Sequence, residues 1–256
     1  MIAFFTWFLV FMRAGAFLVI FPLFSSPNIP VRLRVALAAF LSLMVAPGLD
    51  NSLDVSSMGL LPLILLIFKE IALGLFLGLI CRLYFYAVQL AGNFISTDIG
   101  LQTATLITPD GAAVDVPAAV LNLLATMLFL SLDMHHVLIS AFQQTYSVLP
   151  IGSGGLSIAL YDDFIYRVGR IFLLAVQIAA PLMAVSFLLG VVMMMMGRAV
   201  PQMNIFFESF TIKLLAGLIV FGFSLNLMAQ LISDNLKKVP QDIIEVSRLL
   251  GGAMTR

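Results

Sequence analysis

The sequence predicts an all-α integral membrane protein, and three observations carry that expectation. Of the 256 residues, 62% are hydrophobic and only 10% charged, with a mean hydropathy of +1.12, far outside the range of soluble chains. Apolar runs of about 20 residues, bounded by Pro, Gly and charges, recur along the chain and match the length a helix needs to cross hydrocarbon. Finally, the polar residues within those runs fall at helical spacing. Arg82, Tyr86, Gln89, Asn93 and Ser96 form one series, and Gly222, Asn226, Gln230, Ser233 and Lys237 a second. Steps of three and four stack side chains in one stripe. Such a stripe is costly against lipid, so it should face protein or water.

The elements follow in order. The first helix is expected over residues 2–24. No basic region precedes its apolar run and Arg13 interrupts it, so it reads as a retained helix and not a cleaved signal peptide. A Ser-Ser-Pro-Asn-Ile-Pro connector leads to a second helix over 33–49. An acidic connector, 50–57, precedes a third segment over 58–96. That segment would be about 60 Å long as one helix, about twice the hydrocarbon core. It either protrudes or breaks near Cys81-Arg82. Further helices are expected over 117–141, 168–196 and 212–232. The chain thus divides into a polytopic membrane domain, 1–232, and an amphipathic tail, 233–256. In the tail Leu236, Val239, Ile243, Val246 and Leu250 repeat at three and four beside Lys237, Lys238 and Arg248. This stripe suits either a membrane surface or a partner, with a small break at Pro240.

Topology adds a constraint. Arg32 and Arg34 mark the first connector as cytoplasmic, and Lys237, Lys238, Arg248 and Arg256 mark the tail the same way. Five mapped segments lie between them, and an odd number of crossings cannot return to one side. At least one segment therefore does not span conventionally, which points to helical hairpins packed in an assembly. Non-spanning backbone is tolerated only where protein or water surrounds it. Residues 97–116 are the one sizeable polar interruption. They carry Asp98, Gly100, Gln102, Pro109, Asp110, Gly111 and Asp115, no basic residue, and yet keep Leu101, Leu106 and Ile107. A solvated outer loop and a plug folded into an aqueous lumen both fit this pattern; the apolar residues favour the plug.

Little chemistry is visible. His135 and His136 are the only histidines, and neighbours on a helix point about 100° apart, which argues against a shared metal. No nucleophile elbow, Walker run or dinucleotide fingerprint is present. Asp162 and Asp163, adjacent in an expected connector, suit a cap for the next helix. Cys81 suits a small core residue. The sequence therefore implies no enzyme, no cofactor and no metal, and its zero net charge argues against nucleic acid. Glu70 shares a helix face with Gly74 and Gly78, a spacing that lets another helix approach closely. A buried Glu70 needs a cation, and Arg13 or Arg82 can supply it. Met193 to Met196 cover most of a helix circumference, so one or two can meet a passing chain while the others pack.

The stretch from Gly197 through Arg198, Pro201, Gln202 and Asn204 to Phe206, followed by Lys213 and Gly217, resembles the signature of the FliR family of the flagellar type III export apparatus. The SctT proteins are its injectisome counterparts. Arg13, Ile29-Pro30 with Arg32 and Arg34, Ala46-Pro47, Glu70 with Gly74 and Gly78, and Gly92 with Asp98 and Gly100 also fit. So do His135-His136, Pro150-Ile151-Gly152 and Ala180-Pro181. The resemblance runs from about Phe8 to Gly217, and against it the start looks short. It implies bent helical hairpins in a hetero-oligomeric, cone-shaped gate with FliP-type and FliQ-type subunits, and FlhB-type and FlhA-type proteins nearby. The gate passes unfolded proteins across the bacterial inner membrane at the flagellar basal body. The resemblance maps the plug onto residues 97–116, with Gly100, Leu101, Gln102, Leu106, Ile107, Pro109, Asp110 and Gly111 as candidates. Candidate subunit contacts are Glu70, Gly74, Gly78, Arg82, Gln89, Asn93, Arg198, Pro201, Gln202 and Asn204. An injectisome subunit is the alternative; a small-molecule transporter should show paired repeats, and none is visible.

Overall fold

The computed structural model describes residues 2–25, 29–49, 59–101, 115–154, 158–199 and 205–252, and among them every regular element is helical. The helices are α1 (Ile2–Ile20), α2 (Val31–Val45) with a 3₁₀ turn (Ala46–Gly48), α3 (Leu60–Asp98), α4 (Val116–Ser131), α5 (Met134–Val148), α6 (Ile158–Ala199), α7 (Ile205–Leu236) and α8 (Val239–Gly251). Helices satisfy their own backbone, the condition for lying in hydrocarbon. Four stretches are long and apolar enough to cross a membrane, and a fifth if α4 and α5 count as one broken span. This is an all-α integral membrane protein.

One alternative is decided here and two expectations are corrected. The third segment does not break at Cys81-Arg82: α3 is one helix of 39 residues, and α6 runs for 42. Pro181 lies inside α6 without ending it. The run expected over 117–141 is instead two helices, because Asp133 takes φ 52°. Asp is one of the few side chains that tolerate this left-handed conformation, which no helix can propagate. Asp162 and Asp163 do not cap a helix; they lie inside α6, where Asp163 pairs with Arg167 one turn on.

The chain divides into two compact units. The first holds Met1–Tyr84, Asp133–Arg167 and Lys237–Arg256. Its core joins Leu9, Val10, Ala14 and Phe17 of α1 to Ala38 and Val45 of α2, and Phe17 meets Phe142 of α5 with ring centroids 5.2 Å apart. The apolar stripe of the tail is buried here. Val239, Ile243, Val246 and Leu250 are each at most 4% exposed, and α8 packs on α5. The stripe thus serves neither a membrane surface nor an outside partner. Pro240 sits in the first turn of α8, where its missing N–H is harmless, with Asp242 in the first turn and Arg248 in the last complementing the helix dipole.

The second unit holds Phe85–Leu132 and Val168–Leu236. Small residues bring its helices together: a Cβ on Gly92 would lie 2.6 Å from that of Ala118, so α3 and α4 touch through their backbones. Phe85 packs on Phe129 and Phe94 on Phe172.

Candidate functional site

In the first unit, Gly74 and Gly78 seat α3 directly on α1. A Cβ at Gly74 would overlap the Arg13 carbonyl and come within 2.9 Å of Ala16 Cβ, and one at Gly78 would lie 2.8 Å from the Phe17 carbonyl. That contact places Arg13 beside Glu70, both with fully buried side chains. The guanidinium binds the carboxylate with both arms, Nε donating to Oε2 at 2.6 Å and Nη2 to Oε1 at 3.1 Å. Its remaining nitrogen donates to the Leu149 carbonyl at 3.2 Å, and the Gly152 N–H donates to Glu70 Oε1 at 2.9 Å. The Tyr146 ring lies 4.1 Å from the guanidinium carbon, within cation–π range. A charge-assisted bidentate pair is the geometry that best compensates burial of two ions. Here it also ties the turn after α5 to α1 and α3. Glu70, Gly74 and Gly78, expected at subunit contacts, are therefore spent inside the chain: none presents surface to a neighbour.

A second ion cluster in the same unit went unread in the sequence. Arg167, 8% exposed, pairs with Asp163 and Asp242 at 2.6 Å each and with Glu245 at 3.0 Å. The Tyr84 hydroxyl donates to Asp242. Only the Asp163 pair, at i, i+4, carried a local signal; the other partners lie far along the chain.

In the second unit, the two described ends of the candidate plug are firmly held. On the leading side α3 ends at Asp98, whose carbonyl accepts from Ser186 at 3.0 Å. Gly100 then turns with φ 83°, a conformation that suits glycine, with Phe210 packed where a Cβ would point. Ile99 is buried against Gly217, where a Cβ would collide with the Ile99 side chain. On the trailing side Asp115 caps α4, accepting from the Ala118 N–H at 3.4 Å. With its amide oriented so that both its ends find partners, Asn93 donates to the other Asp115 oxygen at 2.7 Å. Asn93, expected at a subunit contact, thus anchors the loop's far end. Leu101 is the last residue described on the leading side; Gln102, Leu106, Ile107, Pro109, Asp110 and Gly111 lie outside the described residues.

The remaining candidates separate by exposure. Gln89 and Arg198 are exposed and Arg82 is half-buried, while Pro201, Gln202 and Asn204 lie outside the described residues. Arg198 lines an open groove of about 400 Å³ with Gly190, Met193, Met194, Gly197, Ser209 and Lys213. Of the methionine run only Met193 is buried; Met194, Met195 and Met196 are exposed, so most of the run does not pack within this chain. Gly222, Asn226 and Gln230 on α7 are exposed as well.

Asp133, His135 and His136 correct a geometric argument. Their potential ligand atoms all lie within 4.8 Å of one another, and the two imidazole centroids are 4.0 Å apart. Divergent Cβ directions did not keep the rings apart. Both residues sit in the first turn of α5, where no preceding turn restricts their rotamers.

These long apolar helices, several of them with exposed polar residues, define an integral membrane protein. The family profile described as bacterial export proteins, family 1, matches residues 4–239, and the chain belongs to that family. Its relatives include the flagellar biosynthetic protein FliR of Bacillus subtilis (strain 168), 31% identical over 219 residues, with 83% of each chain covered. FliR of Caulobacter vibrioides (strain ATCC 19089 / CIP 103742 / CB 15) is 28% identical over 236 residues, 90% of this chain and 92% of its own. The Yop proteins translocation protein T of Yersinia pestis is 30% identical over 234 residues, 88% of this chain and 87% of its own.

Proposed function

We propose that the chain is a structural, non-catalytic subunit of the flagellar type III export gate in the bacterial inner membrane, part of the path that passes unfolded flagellar proteins. The observation that carries this reading is the family match across residues 4–239, with flagellar relatives that cover most of the chain. The exposed Gly222, Asn226 and Gln230 support it, since a polar face on an apolar helix requires protein or water beside it. The gate neighbours are FliP-type and FliQ-type subunits, with FlhB-type and FlhA-type proteins adjoining. Gln89, Arg198 and the polar face of α7 meet those neighbours, and residues 97–116 form a plug that helps to close the lumen. The tightly held ends at Ile99–Gly100 and Asp115 favour the plug, because a closure element needs fixed roots. An injectisome role is the second reading, favoured by the likeness to the Yersinia pestis translocation protein.

The test is copurification and complementation. Tagged chain should bring down a large hetero-oligomer, and its gene should restore motility to a strain lacking its own copy. Recovery as a lone chain or homo-oligomer, with restored transport of a small solute, would overturn the gate reading. Restoration of injectisome secretion but not motility would select the second reading.

A further inference from the structure

We propose that Asp133, His135 and His136 form a binding site for a divalent first-row metal ion of borderline softness, with zinc the best match. This inference requires nothing of the export reading. Three observations support it. The first is convergence: one potential ligand atom from each of the three side chains lies within 4.8 Å of the others. Ligands bound tetrahedrally at about 2.0–2.1 Å stand roughly 3.4 Å apart. His136 Nδ1 and Asp133 Oδ1 are already 3.7 Å apart, so small χ rotations close the set around an ion.

The second observation concerns what Asp133 does not do. It occupies the N-cap position of α5, where an aspartate ordinarily accepts from the first-turn N–H groups, yet its side chain makes no capping bond. Its backbone is left-handed, and the carboxylate is turned toward His136 instead. The third is an orphan: His135 Nδ1 is shielded from solvent with no hydrogen-bond partner. A buried polar atom without a partner is uncommon and calls for an explanation; coordination through this nitrogen would supply one.

Two imidazoles, one carboxylate and an exposed fourth position filled by water are a ligand set that zinc accepts. The Asp133 charge offsets the unfavourable placement of a cation at a helix N-terminus. The role proposed for the ion is structural. The ion would tie the left-handed Asp133 to the first turn of α5, and so fix the start of that helix.

The experiment uses the full chain carrying an affinity tag without histidines, purified in detergent and stripped with chelator. Zinc chloride is titrated calorimetrically, and cobalt(II) is added to a parallel sample as a visible probe of geometry. One equivalent should bind, with the intense cobalt absorption of a tetrahedral site and a raised melting temperature. His136→Ala and Asp133→Asn should each weaken binding about tenfold or more. Both side chains are about three-quarters exposed, 72% and 76%, so these variants keep the fold, which an unchanged metal-free melting temperature verifies. The proposal is overturned if binding is not saturable, or if both variants bind zinc as tightly as the parent.

Discussion

Replacing Glu70 with alanine is the sharpest perturbation the structure offers. Glu70 accepts three hydrogen bonds, two from Arg13 and one from the Gly152 N–H. The truncation strands a guanidinium at 0% exposure with the Leu149 carbonyl and the Tyr146 ring as its remaining partners. Breaking a buried pair from one side typically destabilises by about 3–5 kcal/mol. That corresponds to roughly two to four orders of magnitude in the folding equilibrium. Replacing both partners with apolar residues of similar length removes both desolvation penalties, so Arg13→Met with Glu70→Met should recover most of the loss. The recovery stays incomplete, because the Gly152 N–H loses its acceptor, worth about 1–3 kcal/mol if left unsatisfied. Denaturant titration of the four proteins in detergent gives the full double-mutant cycle. Additive losses, with the double variant as unstable as the sum of the singles, would refute the claim that the two charges compensate one another.

Further outcomes follow from the same geometry. Gly74→Ala should destabilise by about 1–3 kcal/mol through the collision with Arg13 and Ala16. Gly169→Ala, where a Cβ meets nothing within 4 Å, should instead stabilise by about 0.5–1 kcal/mol; thermal melts of the two read the contrast. Deleting residues 241–256 should lower the melting temperature of the isolated chain, because the tail covers α5; a truncation that melts like the parent counts against that packing. Arg167→Met should raise the rate of proteolysis near Lys237 and Lys238 by releasing Asp242 and Glu245, a change that limited digestion followed by mass spectrometry detects. Shortening residues 100–111 to a few Gly and Ser should leave assembly intact and the closed complex leaky to ions, measured as conductance; a tight, export-competent complex would restore the solvated-loop reading.

Hydropathy made the helices legible, since run length and bounding Pro and Gly reflect local chemistry. The breaks were less so. Asp133 interrupts a helical run through one backbone angle, and nothing in its neighbours requires that choice. The Gly74 and Gly78 spacing announced a close helix contact but not its owner, because α1 of the same chain and a helix of a neighbour present the same smooth face. Likewise the stripe on α8 was plain in the periodicity, while its cover, α5, lies about a hundred residues earlier in the sequence. The convergence of His135 and His136 depends on side-chain torsions, which spacing does not encode.

The burial of Arg13 has a consequence for the order of events during synthesis. α1 is synthesised before α3, and an arginine at the centre of a membrane helix costs about 2.5–3.5 kcal/mol to insert. Its carboxylate partner is 57 residues away. At about 5–20 residues per second, the helix waits roughly 3–11 s before Glu70 has even been made. During that interval the Arg13 guanidinium lacks the carboxylate that offsets its burial in the finished fold. Only when α3 arrives can Arg13 be buried at low cost, so the packing of α1 on Gly74 and Gly78 waits for the same helix that brings Glu70.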